Sequence, residues 1–260
     1  VIVWKQKQKL NTMLIDIRNC AEKSRLTQAD KDFIAFITHD LKNPAISQLR
    51  SIDYLLTETS GSLTPSQKEL LEISASSCRY MTELISSILD SYKYDEGKHV
   101  LKARDFNINE LMSELQKENK SLLLERGQRL VITSSLSQET LYGDKLQLKR
   151  VLMNLLTNAM KYSPTGSVLQ IQLFNTTDAI TINVINESLI PLPRNLNKLF
   201  EKYETVNDYD TLYRGSGLGL YLSNQIVKAH KGKMYAKLLS ARKCLFGFQI
   251  PVEYSEDRKV

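Results

Sequence analysis

The chain has 260 residues, 42% apolar and 25% charged, which is the make-up of a folded soluble protein with length for about two domains. A net charge of +6 raises nucleic acid as a partner, but no zinc-finger, helix-turn-helix or RNA-binding pattern accompanies it, so nucleic acid is set aside. Cys20, Cys78 and Cys244 are odd in number and far apart, the usage of reduced thiols and not of a disulfide framework or metal site.

The opening residues Val1-Ile2-Val3-Trp4 give way at once to Lys5, Lys7 and Lys9. Apolar residues, an interfacial Trp and then lysines are the order found on the cytoplasmic side of a membrane span. The expectation is therefore a cytoplasmic segment that follows a membrane span lying upstream of Val1; a helix start is the alternative. No stretch within the chain reaches the ~20 apolar residues that a span requires. Leu10, Met13, Leu14, Ile17 and Ala21 recur at helical spacing, so residues 1–30 read as a helical lead-in.

In the next helix Ile34, Ile37, Leu41, Ala45, Leu49, Ile52 and Leu56 fall at intervals of three and four and form one buried stripe. His39 lies nearly opposite that stripe, with Asn43 one turn further along the same face and Asp40 on the flank. Pro44 removes a backbone donor and predicts a bend just beyond the histidine. On these residues alone His39 reads as a surface histidine of an amphipathic helix.

Turn residues at 59–62 end this helix, and Thr64-Pro65 supplies an N-cap and a first-turn proline for another. Leu70, Leu71, Ile73, Cys78, Met81, Leu84, Ile85, Ile88 and Leu89 mark its apolar side. Two such helices make a thin hairpin, and pairing two copies into a four-helix bundle buries both stripes, so a homodimer is expected over residues 31–96.

After Asp95-Glu96-Gly97-Lys98 the pattern changes, and residues 97–260 read as a second domain. Strands are predicted at 100–106, 130–134, 168–174, 179–185, 233–239 and 244–252, and helices at 108–126, 145–162 and 218–231. Strands in adjacent pairs separated by helices predict an α+β fold, with helices packed on one face of a mixed sheet.

Two constellations lie in this domain. Asn154, Asn158 and Lys161 share one face of the 145–162 helix, followed by Tyr162 and Ser163. Amide oxygens are hard neutral metal ligands and lysine is a point charge for phosphate, although a solvated polar face has the same appearance. The second is Arg214-Gly215-Ser216-Gly217-Leu218-Gly219, running into a helix. Alternating glycines admit close backbone approach to a ligand, and a helix N-terminus favours anions. It matches neither the Walker nor the dinucleotide spacing.

Together these residues resemble the catalytic core of the two-component sensor histidine kinases over about residues 32–252. Thr38 to Pro44 is similar to the histidine box, Asn154 to Ser163, with Asp144 upstream, to the asparagine box, Gly215 to Leu220 to the last glycine box, and Leu199 to Tyr203 to the phenylalanine box. The resemblance implies a dimerisation and phosphotransfer hairpin followed by a Bergerat-type ATP-binding α/β sandwich.

By that resemblance His39 accepts the phosphoryl group from Mg·ATP, Asp40 assists it, and Asn43 orients water for a phosphatase activity. Asn158 coordinates Mg²⁺, Asn154, Lys161 and Tyr162 line the nucleotide, and Gly215, Gly217, Leu218 and Gly219 seat the phosphates. Arg214 is added as a phosphate contact. The partner implied is the receiver domain of a response regulator.

One departure stands out. The family's Asp-x-Gly-x-Gly box is replaced at 186–193 by Asn-Glu-Ser-Leu-Ile-Pro-Leu-Pro, so Asn186 stands where an adenine-reading aspartate is expected. An amide oxygen accepts a hydrogen bond but lacks the charge that strengthens it. Weakened ATP affinity follows as an expectation, and with it the alternative of a dimeric kinase-like scaffold that transmits a signal without efficient autophosphorylation. His99 reads as a linker residue and His230 as a structural residue at a helix C-terminus, capped by Lys231-Gly232.

Overall fold

A computed structural model of the chain describes residues 28–57, 61–97, 99–206 and 216–252, with side chains from Asp40 onward. The lead-in of residues 1–27 lies outside them, as do Arg214 and Gly215. The chain divides into two compact units, Val1–Tyr92 and Lys93–Val260. No helix among the described residues is long and apolar enough to cross a membrane.

The first unit is the helical hairpin. Helix α1 (Gln28–Leu56) contains Pro44 and runs on to its end as one helix, and α2 follows as Pro65–Asp95. The predicted start of α2 is built as a capping box: Thr64 Oγ1 accepts from the Gln67 N–H (3.3 Å), and Gln67 Oε1 accepts from the Thr64 N–H (2.9 Å). Ala45 on α1 and Ala75, Cys78, Leu84, Ile85 and Ile88 on α2 are buried. Polar contacts join the helices as well, Cys78 to Gln48 and Arg79 to Asp53 at 3.1 Å. On the outside of the hairpin Tyr54, Leu55, Leu70 and Ile73 stay exposed.

The second unit opens with β1 (Arg104–Asn107) and α3 (Ile108–Glu125), continues through β2 (Arg129–Ser135), β3 (Thr140–Gly143) and α4 (Lys145–Tyr162), then β4 (Val168–Asn175) and β5 (Ala179–Glu187). A 3₁₀ turn (Leu196–Phe200), α5 (Gly219–Ala229), β6 (Lys233–Leu238) and β7 (Lys243–Pro251) complete it. The main sheet has the order β2-β4-β5-β7-β6, while β1 and β3 form a separate antiparallel pair. Only β2 and β4 are parallel in it, because α4 supplies the crossover that parallel neighbours need. The mixed sheet and its helices are those that the residue pattern predicts.

Packing follows from the same periodicities. Leu148, Val151, Leu152, Leu155, Leu156, Ala159 and Met160 of α4 are buried in one core with Ile171, Leu173, Ile182, Val184 and Phe248 of the sheet. Each larger side chain of that kind contributes ~1.5–3 kcal/mol relative to exposure. Helix α4 is therefore a rigid platform whose opposite face is available for chemistry. Its N-cap is Asp144, whose Oδ1 accepts from the Gln147 N–H (3.1 Å) and whose Oδ2 accepts from the Lys102 N–H (2.9 Å).

That second bond explains a difference at the first strand. Residues 100–103 were expected to be extended and paired, but the Lys102 amide is taken by a side chain and β1 begins at Arg104. His230 is the C-cap of α5, as its place before Lys231-Gly232 predicts. Its Nδ1–H donates to the Ile226 carbonyl (2.8 Å) and its Nε2 accepts from the Asp144 N–H (2.9 Å). Burial pulls its pKa below the usual histidine range, so the ring is held neutral between the end of α5 and the start of α4.

Candidate active site

Asn154, Asn158 and Lys161 project from the half-buried side of α4. Asn154 Nδ2 donates to Ser223 Oγ of α5 (3.0 Å), and Ser223 in turn donates to the Gly219 carbonyl (3.0 Å). A Cβ on Gly219 would stand 2.5 Å from Asn154 Oδ1. The last glycine of the glycine-rich segment thus lets the first turn of α5 lie against the asparagine face of α4. The two motifs, over sixty residues apart in sequence, meet at this point.

Asn158 Nδ2 reaches Asn154 Oδ1 at 3.5 Å, which aims the Asn158 carbonyl oxygen away from its neighbour and leaves it as an acceptor. Lys161 makes no ion pair with a carboxylate among the described residues; its ammonium lies 5.0 Å from the centroid of the Tyr162 ring. Burial alone pushes its pKa below the usual lysine range. A half-buried cation without a counter-ion is a group that gains from an anionic ligand. A neutral amide oxygen beside it fits a small hard cation that arrives with phosphate oxygens and its own waters, and among the described residues no cluster of three acidic, histidine or cysteine side chains offers another metal cage.

Gly217 has φ +68° and accepts at its carbonyl from the Tyr203 N–H (3.0 Å). A Cβ there would come within 2.5 Å of the Tyr203 carbonyl carbon. Leu218 is nearly fully buried, and its N–H goes to Ser216 Oγ (3.2 Å). It therefore anchors the segment by its side chain, and its amide is already engaged.

Asn186 closes β5 at the C-terminal end of α4. Its Nδ2 donates to Ser163 Oγ (3.0 Å) and to the Glu187 carbonyl (2.9 Å), and Cys244 Sγ, its partner across the β5–β7 ladder, donates to its Oδ1 (3.3 Å). The segment that follows is stitched down: the Leu189 N–H donates to the Tyr162 carbonyl (2.7 Å) and the Ser188 N–H to the Arg242 carbonyl (2.6 Å).

Of the predicted residues in the second unit, Asn154, Asn158, Lys161, Tyr162 and Asn186 lie along α4 or at its end, Gly219 lies against it, Gly217 is held on the Tyr203 backbone, and Leu218, between the two in sequence, is buried. In the hairpin Asp40 and Asn43 are exposed on α1, and His39 falls within that helix. Ser223 and Cys244 were not assigned to the site and Ser163 was named only as the end of its box, because the bond that ties each to a predicted residue spans twenty-three or more residues. A serine directly after the lysine-tyrosine pair was the one local signal.

Residues 29–97 match the His Kinase A (phospho-acceptor) domain, and residues 143–254 match the histidine kinase-, DNA gyrase B-, and HSP90-like ATPase domain. A phospho-acceptor hairpin followed in sequence by an ATPase-type α/β domain is thus the class defined by fold and site. The chain is 26% identical over 244 residues to the autoinducer 2 sensor kinase/phosphatase LuxQ of Vibrio cholerae, covering 92% of this chain and 28% of that protein. It is 30% identical over 252 residues to the hybrid signal transduction histidine kinase C of Dictyostelium discoideum, covering 90% and 20%. It spans less than a third of the length of either relative.

Among solved structures, full-length ShkA in complex with AMPPNP superposes with a TM-score of 0.70 at 18% identity, covering 85% of this chain and 45% of that one. ThkA in complex with the response regulator TrrA gives 0.59 at 20% identity, covering 85% and 61%. At such identities these two establish the fold. The chain belongs to the two-component sensor histidine kinases and comprises their catalytic core.

Proposed function

We propose that the chain transfers the γ-phosphoryl group of ATP to His39 and from there to an aspartate of a separate response-regulator receiver domain. The observation that carries this reading is the pairing on α4 of an uncompensated, half-buried Lys161 with an Asn158 oxygen free to ligate. These two groups fit a triphosphate and its accompanying cation. When bound, Mg²⁺ held by the Asn158 oxygen offsets charge on the phosphate oxygens.

The chain's own groups account for the rest. A neutral imidazole nitrogen of His39 attacks in line, forming a P–N bond as the bond between the γ-phosphorus and the β,γ-bridging oxygen breaks and ADP leaves. Asp40 orients the ring and takes up its proton. Asn154 occupies the helical position four residues before Asn158, where the resembling ATPases carry a water-activating glutamate. An amide cannot act as a general base, and here it is tied to Ser223. The site therefore holds its nucleotide without rapid hydrolysis, and the phosphoryl group goes to a protein acceptor.

Asn43, exposed on α1 one turn beyond His39, orients the water that removes phosphate from the receiver. Tyr54, Leu55, Leu70 and Ile73 leave apolar surface on the outside of the hairpin, which supports pairing of two copies into a four-helix bundle. The test is labelling with ATP radiolabelled at the γ-phosphate. His39→Gln abolishes label on the protein while calorimetric ATP binding persists; label retained on His39→Gln overturns the assignment. The second reading, a scaffold with little autophosphorylation, draws on the internally bonded segment after Asn186. It predicts no label on the wild-type chain even at saturating Mg·ATP.

A further inference from the structure

Away from the asparagine face of α4, one carboxylate gathers a second polar cluster. Asp95 is the last residue of α2, yet it belongs to the compact unit Lys93–Val260, and Tyr94 beside it packs against that unit's core. Asp95 Oδ2 accepts from Lys202 Nζ (2.7 Å), and its Oδ1 accepts from the Tyr221 hydroxyl. The Lys202 ammonium stands 5.7 Å from the ring centroid of Tyr203 and 5.5 Å from that of Tyr221, within reach of a cation–π attraction to each. Burial and, after it, the hydrogen bond to Asp95 push the Tyr221 phenol above its ordinary value, so the hydroxyl keeps its proton and remains the donor.

These contacts bracket the glycine-rich segment in sequence. Lys202 precedes Tyr203, whose N–H donates to the Gly217 carbonyl (3.0 Å) and whose φ of +66° a bulky residue adopts only where its surroundings hold it. Tyr221 lies two residues after Gly219 and two before Ser223, so at about 100° per residue it leaves α5 on the side away from both. Gly219 and Ser223 face Asn154 of α4. The first turn of α5 is therefore held on one side by Asn154 and on the other by Asp95.

We infer that Asp95 is a positioning residue of the nucleotide site: by holding Tyr221 and Lys202 it fixes where the N-terminus of α5 and its glycines stand to receive phosphate. A helix N-terminus favours an anion through its own N–H groups, and the effect fades within one turn. A small displacement of that turn is thus felt by phosphate and not by the core. This rests on the nucleotide reading above and adds to it a carboxylate that none of the histidine, asparagine, phenylalanine or glycine boxes contains.

Titration calorimetry of the whole chain with Mg·ATP and with inorganic tripolyphosphate tests it, beside amide hydrogen exchange of the ligand-free chain. Asp95→Ala and Tyr221→Phe should each lower the affinity for both probes ~3–10-fold, as the loss of one or two hydrogen bonds predicts. The double variant should lose no more than Asp95→Ala, since both act through one carboxylate. Asp95→Glu, which keeps both oxygens, should stay within about twofold of the wild type. Exchange should quicken at the Leu222 amide, which donates to the Leu218 carbonyl (2.8 Å) at the start of α5, while β4 and β5 exchange as before; a merely structural loss would quicken those strands too. Affinities of Asp95→Ala for both probes within about twofold of the wild type overturn the inference, as does exchange that quickens equally throughout the domain. A wild-type chain that binds neither probe overturns the nucleotide reading instead: quickened exchange at Leu222 alone then leaves the clamp on α5 standing, and unmoved exchange removes it as well.

Discussion

Replacing Gly219 by alanine separates the stability of the fold from the integrity of the site. The new Cβ stands 2.5 Å from Asn154 Oδ1 and 3.2 Å from its Cγ, so the carboxamide must withdraw by ~1 Å to reach an ordinary contact. Withdrawal breaks its bond to Ser223 Oγ (3.0 Å), a neutral bond that contributes ~1 kcal/mol net. Alanine in place of glycine in a helix returns up to ~1 kcal/mol, less in a first turn. The two nearly cancel, and the urea midpoint should move by no more than ~1 kcal/mol equivalent.

The site has no such compensation. Asn158 leans on Asn154 Oδ1, so moving Asn154 misaims the oxygen that would ligate the cation beside the phosphates, at a cost of ~1–2 kcal/mol, or ~5–30-fold in Mg·ATP affinity by titration calorimetry. Asn154→Ala should give a similar loss, and the double variant should lose no more than either single one, because both act through one carboxamide. Affinity within about twofold of the wild type in Gly219→Ala, at unchanged stability, would refute the reasoning.

Three further outcomes are expected. Gly217→Ala imposes φ +68° on a residue with a Cβ that meets the Tyr203 backbone at 2.5 Å, and should cost ~2–3 kcal/mol by thermal unfolding. His230 has a folded-state pKa depressed below 6.5 by burial, with the Ile226 carbonyl and Asp144 opposing the shift and His99 adding to it. The unfolded chain therefore binds more protons below that pH, so stability is full above it and is lost as pH falls; urea midpoints should drop between about pH 7 and pH 5, less steeply in His230→Gln. Thr64→Ala removes half of the capping box and should cost ~0.5–2 kcal/mol, read as faster amide exchange in the first turn of α2.

The helices were legible because their signals are local. Pro65 and Thr64 fix one start, and the residue pattern places α4 at residues 145–162, where the structure has it. Strands β4, β5 and β7 were found to within two residues at either end because apolar runs that long have few alternatives. Strand β3, only Thr140–Gly143, carries too little pattern; its pairing with β1 makes it a strand, and that contact is non-local. The same divide runs through the site. Asn154, Asn158 and Lys161 are visible as one helical face, but the direction in which the Asn186 amide points is set by Ser163, the Glu187 carbonyl and Cys244, and no spacing rule reaches across a β-ladder to report it.

The hydrogen bond from the Tyr203 N–H to the Gly217 carbonyl (3.0 Å) has a consequence for engineering. It joins two chain positions that residues 204–216 separate in sequence, so the cost of closing that ring is met by the folded domain. Closure entropy grows only with the logarithm of length, ~0.6 kcal/mol for each doubling. An insert across Tyr203 or Gly217 would break the bond that closes this ring, and with it the positive-φ turn that leads into α5.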